Sequence, residues 1–153
     1  YEVKQGDYQS AITVTDEALK KFPKSLIYRF TKSTLLLNTK QYKACIVLCD
    51  AILEDTKTIS KDSLKFHPAI SGAYLNAGLA YFNQAVELDK NHSSSKRDRE
   101  RMLEYYRKAL PYLEHYRELA PEDKSKWALP LYTVYLNLNM GKEFDEIDKL
   151  LEK

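Results

Sequence analysis

Glycine and proline are scarce in this chain of 153 residues, with only 4 and 5 copies. An all-β fold with frequent tight turns needs more of both, so the composition disfavours that class. No apolar run approaches the ~18–20 residues that a membrane-spanning helix requires. Neither sign of charge dominates, because 24 Lys and Arg are balanced by 22 Asp and Glu. This balance provides no field that would attract nucleic acid or anionic lipid.

Cysteine is also rare, and the two copies, Cys45 and Cys49, lie four residues apart. Such a pair shares one helix face and could ligate a metal ion or take part in redox chemistry. A structural zinc site takes about four ligands, and no other Cys or His has a supporting spacing. We therefore expect both thiols to pack in the core as small apolar groups, and we predict no metal and no cofactor. Cysteine usage does not decide the compartment.

Motifs for catalysis are missing as well. The histidines, His67, His92 and His115, are scattered, and no paired-His metal motif is present. The run Ser93-Ser94-Ser95 lacks the glycines of a nucleophile elbow, and no glycine-rich loop could cradle a phosphate. We predict no catalytic residues and no enzymatic activity.

What the chain does contain is an internal repeat. Gly6-Asp7-Tyr8-Gln9-Ser10-Ala11-Ile12 is matched by Lys40-Gln41-Tyr42-Lys43-Ala44-Cys45-Ile46, with a spacing of 34 residues between Tyr8 and Tyr42. Ala11 precedes Pro23, and Ala109 precedes Pro121, by the same 12 residues. Repeats of this length in a helical chain are typical of stacked helix pairs.

Hydrophobic periodicity predicts helices throughout the chain. We place them at about 8–21, 26–38, 41–55, 68–88, 96–119, 124–139 and 143–152. Ser25 and Asp123 are the expected N-caps of two of them. Residues 56–67 are expected to be irregular and 91–95 to form a loop, and Pro111 should bend the helix that contains it.

These residues resemble the tetratricopeptide repeat (TPR) family, whose unit is two antiparallel helices. Gly6-Asp7-Tyr8, Ala11, Ala18 and Pro23 fit the second half of a unit. Tyr74, Gly78 and Tyr81 fit a first helix, and Ala109, Tyr116 and Pro121 fit its second helix. Leu131, Val134, Leu138, Gly141 and Phe144 fit a final unit with one extra residue in its turn. The resemblance implies an all-α array of antiparallel helix pairs stacked as a superhelix.

The resemblance divides the chain into one domain of successive units. We expect a half repeat at about 1–25, a repeat at 26–67, a repeat at 68–123 and a terminal repeat at 124–153. Gly78 and Ala109 are 31 residues apart where the family pattern has 12, so the third of these carries an insertion of 19 residues at roughly 83–104. Because the chain opens at Tyr1 partway through a repeat, we expect a fragment or a processed product. The long third unit and the Met-Gly turn also resemble exported TPR proteins of Bacteroidetes, which implies export, with a cytoplasmic location left open.

In this family the first helix of each unit lines a concave groove that binds other proteins. The corresponding candidate residues here are Phe30, Thr34, Leu37, Leu75, Asn76, Leu79, Phe82, Asn83, Tyr132, Thr133 and Leu136. Asn76 and Asn83 are the sharpest candidates, because an amide can satisfy both the donor and the acceptor of an extended peptide backbone. The alternative is that several of these side chains only pack against neighbouring helices. Ile27, Phe30, Gly72, Leu75, Leu129 and Tyr132 stand where carboxylate-clamp members carry Lys or Arg, which argues against such a clamp.

The sequence thus favours a non-catalytic scaffold or adaptor that binds a partner peptide or amphipathic helix in its groove. Self-association is also open, because a truncated repeat exposes an edge. One alternative is a small-ligand-binding or enzymatic helical domain that uses the insertion. A second is an RNA-binding helical repeat, against which the balanced charge argues. The mixed charge run at 96–101 is expected to be a solvated helix start.

Overall fold

The computed structural model describes residues 5–64, 67–90 and 95–152. Within these ranges all regular structure is helical, which confirms the predicted all-α class. The helices are α1 (Gln5–Lys21), α2 (Leu26–Asn38), α3 (Tyr42–Asp55), α4 (Lys61–Leu64), α5 (Pro68–Lys90), α6 (Lys96–Leu119), α7 (Lys124–Asn137) and α8 (Gly141–Leu151).

The helix ends and the segments between helices agree in part with the sequence-based predictions. The Ser25 hydroxyl accepts a hydrogen bond from the Tyr28 amide at 3.3 Å, so the predicted N-cap of α2 is confirmed. Asp123 occupies the N-cap position of α7, as predicted, but its carboxylate makes no capping bond and instead accepts a hydrogen bond from the Tyr116 hydroxyl at 3.1 Å. The single helical turn α4 lies within the stretch expected to be irregular. Pro111 is accommodated inside a continuous α6.

Two of the connecting turns have the same backbone geometry. After α2, the amide of Gln41 donates to the Leu36 carbonyl and that of Lys40 to the Leu37 carbonyl. After α7, the amides of Met140 and Asn139 make the corresponding bonds to Tyr135 and Leu136. This is the hydrogen-bond pattern of a Schellman motif, which closes a helix with one left-handed residue. The second turn is no longer than the first, and the extra residue expected there falls in α8, where Phe144 lies one helical turn from the start.

The helices pack as two layers. Each long helix contacts the next long helix along the chain. The single turn α4 does not separate α3 from α5, which pack directly on each other. In addition α2 contacts α5, and α5 contacts α7, so these three helices lie side by side as one layer. The other long helices, α1, α3, α6 and α8, each pack on one or two of these three, and we call them the second layer. Short connections make consecutive helices antiparallel.

The core is continuous through α5, which borders two clusters of buried side chains. One cluster, around Cys45, Cys49 and Ile52, joins α1, α2 and α3 to α5. The other, around Trp127, Leu131 and other side chains, joins α5 and α6 to α7 and α8. The Trp127 indole donates a hydrogen bond of 3.1 Å to the Ala120 carbonyl, so this large ring is buried without an unsatisfied polar atom.

Helices α5 and α6 are the longest of the described elements, with 23 and 24 residues, whereas α2 and α3 have 13 and 14. The extra length lies where the sequence predicted an insertion, and it forms continuous helix on both sides of the connection at 91–95. The predicted loop residues Asn91–Ser94 lie outside the described residues. The two helices therefore form a long hairpin that extends beyond the other helices. This α5–α6 hairpin is flanked by the α2–α3 turn on one side and the α7–α8 turn on the other.

Candidate protein-binding face

The helices of the first layer each carry a stripe of side chains at the same spacing, and all of these residues except Leu129 are candidates from the sequence. On α2 the stripe is Phe30, Thr34 and Leu37, on α5 it is Leu75, Leu79 and Phe82, and on α7 it is Leu129, Thr133 and Leu136. A spacing of i, i+4 and i+7 keeps each set on one side of its helix. Because α2, α5 and α7 lie side by side, we treat these nine residues as one surface, the α2–α5–α7 face.

Large aliphatic side chains on this face are exposed. Leu129 is 63% and Leu136 is 52% accessible, and Ile27, which precedes the α2 stripe by one turn, is 64% accessible. The stripe residues of the central helix α5 are only partly buried although they have a neighbour on each side. Leu129 and Ile27 were not in the list of candidate site residues. The signal that identifies them is their place among the positions that correspond to the clamp residues of the family.

An apolar pocket adjoins Ile27 at the end of the array. Phe22 is 58% and Tyr28 is 37% exposed, and their ring centroids are 6.2 Å apart. Together with Pro23 and Ile27 they line a shallow cavity of about 550 Å³ at the α1–α2 junction. Apolar surface therefore continues from α2 to this edge of the molecule.

Asn76, the sharpest candidate from the sequence, is occupied inside the protein. Its side chain is only 6% exposed, and its amide group donates to the Ser33 hydroxyl at 2.9 Å and to the Thr34 hydroxyl at 3.0 Å. Both N–H groups of the amide are thus used to join α5 to α2. They are not available to a peptide backbone, which corresponds to the packing alternative that the sequence left open.

Tyr132 and Asn83 also differ from the stripe residues. The Tyr132 ring packs on Phe144 of α8 with centroids 4.7 Å apart, so it stabilises the α7–α8 pair. Asn83 is partly buried beside the stripe of α5 and lines a cavity with Lys40 and Tyr42. The structure therefore places eight of the candidates with Leu129 on the α2–α5–α7 face, and it uses Asn76 and Tyr132 in contacts between helices. Phe82 of the face also packs on Tyr106 of α6, with ring centroids 5.8 Å apart.

Close helix contacts at the face depend on glycine. A Cβ atom added to Gly72 would lie 2.3 Å from a ring carbon of Phe30, so the Phe30 ring covers the backbone of α5. A Cβ atom added to Gly78 would lie 2.9 Å from Leu113, where α5 packs on α6. Gly78 therefore allows α5 and α6 to approach closely.

The cysteines lie in the core, as predicted. Both are 0% exposed, and the Cys45 thiol lies 3.8 Å from the Asn76 carbonyl, to which it donates. A hydrogen bond with Cys49, together with burial, raises the pKa of the Cys45 thiol, so that it stays protonated. Both thiols are free, and no group of three or more possible metal ligands occurs within the described residues.

The remaining residues considered for chemistry do not meet. His115 stacks on Tyr74 with centroids 5.0 Å apart at the junction of α5 and α6, and His67 is exposed just before α5. His92, Ser93 and Ser94 lie outside the described residues. The charge run at 96–101 forms the first turns of α6, as predicted, and its residues are exposed except for the partly buried Asp98. Ser95 is the N-cap of this helix.

A polar cavity lies between the α5–α6 hairpin and the α7–α8 turn. Its volume is about 450 Å³, and its walls comprise Leu88, Asp89, Asp98, Arg99, Met102, Leu103, Asn137 and Asn139. It is the cavity that the sequence-based ligand-binding alternative requires, since it contains charged side chains of the extended hairpin.

Comparisons with known proteins found no family model, no curated protein and no solved structure that matches this chain. Among the helices that the structure describes, none combines the length and apolar character needed to cross a bilayer.

Proposed function

We propose that the chain is a non-catalytic protein-binding module of the TPR type, which holds a partner peptide or amphipathic helix on the α2–α5–α7 face. The observation that carries the proposal is the exposure of Ile27, Leu129 and Leu136 beside the partly buried stripe of α5. Apolar side chains exposed together on neighbouring helices are typical of interaction sites. Burial of such a surface by the apolar side of a partner helix would provide the main driving force.

The packing order of the helices supports the TPR-type part of this proposal. When the single turn α4 is left aside, every second helix belongs to the layer of α2, α5 and α7. Each helix of this layer also contacts the long helices before and after it in the chain. This arrangement is expected when successive helix pairs stack as an array. The repeated turn geometry at Lys40 and Asn139 supports it further.

The proposal can be tested with two variants that remove similar apolar area. Leu129→Ser/Leu136→Ser changes the α2–α5–α7 face, whereas Val14→Ser/Val47→Ser changes side chains 69% and 70% exposed on α1 and α3 of the other layer. Affinity capture from a lysate of the native organism, quantified by mass spectrometry, should give a partner that the first variant loses and the second retains. Equal capture by all three proteins, or none by any, would refute the proposal. Light scattering of the same proteins would reveal self-association through the face or through the pocket beside Ile27.

The polar cavity beside the α5–α6 hairpin favours a second candidate function, the binding of a small polar ligand. It contains charges of both signs, the carboxylates of Asp89 and Asp98 and the guanidinium of Arg99, and together with the amides of Asn137 and Asn139 these suit a zwitterionic molecule. A screen of amino acids and related zwitterions by thermal unfolding tests this, because a bound ligand raises the melting temperature. No shift with any of them, or the same shift in an Arg99→Gln/Asn137→Ala variant, would argue against this site.

A further inference from the structure

A basic cleft lies at the far end of the α2–α5–α7 face. Two adjoining cavities of about 610 and 270 Å³ share Lys40, Tyr42 and Glu87. Lys90 lines the first cavity and Arg101 the second, so cations project from the α2–α3 turn and from both helices of the α5–α6 hairpin. We call Lys40, Lys90 and Arg101 the basic cleft.

The cleft has an excess of positive charge. Glu87 is the carboxylate that lines the cleft. It accepts a hydrogen bond of 3.1 Å from the Tyr42 hydroxyl and forms an ion pair of 3.4 Å with Lys40. The Lys40 side chain is 74% exposed. The Arg101 side chain is 53% exposed and pairs with Asp98 at 3.9 Å. Such exposed pairs are weak, so an incoming carboxylate can join them at little cost.

The cleft is continuous with the apolar face. Asn83 and Val86 line its larger cavity, and Val86 lies one helical turn beyond Phe82 on α5. A segment that lies along the stripe Leu75, Leu79 and Phe82 therefore reaches the cleft at its end.

The distribution of charged residues on the three face helices also favours an acidic partner. Neither α2 nor α7 contains an Asp or Glu, and those of α5 are Glu87 and Asp89, near its last turn. The cations of α2, Arg29 and Lys32, pair with Asp55 of α3 and Asp16 of α1, away from the face. Lys126 of α7 is exposed, one turn before Leu129. The face is thus apolar with a basic margin.

We infer that the occupant of the α2–α5–α7 face is an amphipathic segment whose apolar side chains lie on the stripes and whose acidic end lies in the basic cleft. The inference rests on the proposed function, and it adds the charge and the orientation of the partner. Apolar burial supplies the affinity, while the carboxylates select acidic partners and fix the direction of the segment.

A panel of labelled synthetic peptides tests the inference by fluorescence anisotropy. Each peptide carries a stripe of Leu and Phe at helical spacing and is made in three forms that end in three Glu, three Gln or three Lys residues. Three exposed ion pairs should make the Glu form bind about tenfold tighter than the Gln form at low salt, and the Lys form weaker than both. The preference should shrink as salt is added.

Two charge variants separate the cleft from net charge. Lys40→Gln/Lys90→Gln/Arg101→Gln should bind the Glu form no better than the Gln form, with binding of the Gln form unchanged. Lys20→Gln/Lys142→Gln/Lys149→Gln alters exposed lysines of α1 and α8 by the same total charge and should keep the preference. Equal affinity of wild type for the Glu and Gln forms, or a preference that survives in the cleft variant, overturns the inference and leaves the proposed function standing. No binding of any form to wild type contradicts both.

Discussion

Lys40 and Asn139 adopt the same left-handed backbone conformation, with φ of 62° and 56°, at the same point of two helix–turn–helix units. Each ends the first helix of its pair, and each is followed by the residue whose amide closes the Schellman motif. Glycine is the common choice at this place, because any side chain makes the left-handed region costly. Asn tolerates it better than Lys, since its short polar side chain can hydrogen-bond locally.

Lys40→Gly should therefore stabilise the protein, by about 1 kcal/mol of unfolding free energy. Asn139→Gly should stabilise it less, because Asn already suits the conformation. Loss of the weak ion pair between Lys40 and Glu87 should reduce this gain in unfolding free energy only slightly. Urea unfolding followed by circular dichroism measures both changes.

Lys40→Ala is the matched control for this turn. It removes the same ion pair but keeps a Cβ atom in the left-handed region, so it should give no gain in unfolding free energy. If Lys40→Gly and Lys40→Ala behave alike, backbone strain at the turn is not what the substitution relieves.

This turn also illustrates how far the sequence alone reaches. The helices and the turn after Asn38 follow from hydrophobic periodicity, which depends on neighbours along the chain. The phase of α8 relative to its turn did not follow, because the repeat motif places Phe144 beside the turn whereas backbone hydrogen bonding starts α8 at Gly141. Fine alignment of weak motifs is decided by such local hydrogen bonds.

Only part of the candidate face could be predicted, because a sequence pattern does not reveal contacts between helices. Spacing identifies the side of a helix, so the stripes of α2 and α5 could be chosen from the sequence. Spacing does not reveal which neighbour a polar side chain meets. Asn76 lies one position from the stripe of α5, and that rotation turns its amide toward Ser33 and Thr34.

Replacement of Asn76 should therefore affect stability. Asn76→Ala leaves the buried hydroxyl group of Ser33 and the partly buried one of Thr34 without this donor and should lower the unfolding free energy by about 1–3 kcal/mol. Asn83→Ala, at a partly exposed amide two turns along the same helix, should change it by no more than about 0.5 kcal/mol. Thermal and urea unfolding provide the comparison.

A double-mutant cycle with Ser33→Ala isolates the hydrogen bond itself. The coupling free energy between Asn76 and Ser33 should be at least about 0.5 kcal/mol, because the two side chains are in direct contact in the core. Strictly additive effects of the two substitutions would mean that the bond contributes nothing to the stability of the α2–α5 contact.

The glycines of α5 should respond differently to the same substitution. Gly78→Ala places a methyl group against Leu113, which is 0% exposed, and against the Cβ atom of Tyr112. Overpacking of this kind costs about 1–3 kcal/mol, which outweighs the gain of about 1 kcal/mol in helix propensity. We expect a net loss of unfolding free energy.

Gly72→Ala meets only the outer ring atoms of Phe30, a side chain that is partly exposed and can rotate away. The gain in helix propensity should offset most of the cost, so stability should change little. A larger loss for Gly72→Ala than for Gly78→Ala would mean that Phe30 is held in place more firmly than Leu113. The same urea titrations measure both.

Alkaline pH should weaken the fold through its buried tyrosines. Burial is the main cause that raises the pKa of Tyr42, Tyr106 and Tyr116 from 10.0 to about 12. The folded state holds these phenol protons more tightly than the unfolded state, so the stability they contribute is complete below pH 10. It is lost as the pH rises from 10 to 12, at up to about 1.4 kcal/mol per pH unit for each group.

Tyr106→Phe tests this at the most buried of the three rings, which is 1% exposed. The variant removes one titrating group, so its unfolding free energy should fall less steeply than that of wild type above pH 10. Between pH 7 and 9 the two proteins should run parallel, because the phenol is neutral there in both states, and this range serves as the internal control. Urea titrations across the whole range measure the slopes. Equal slopes above pH 10 would show that Tyr106 does not hold its proton more tightly when the protein is folded.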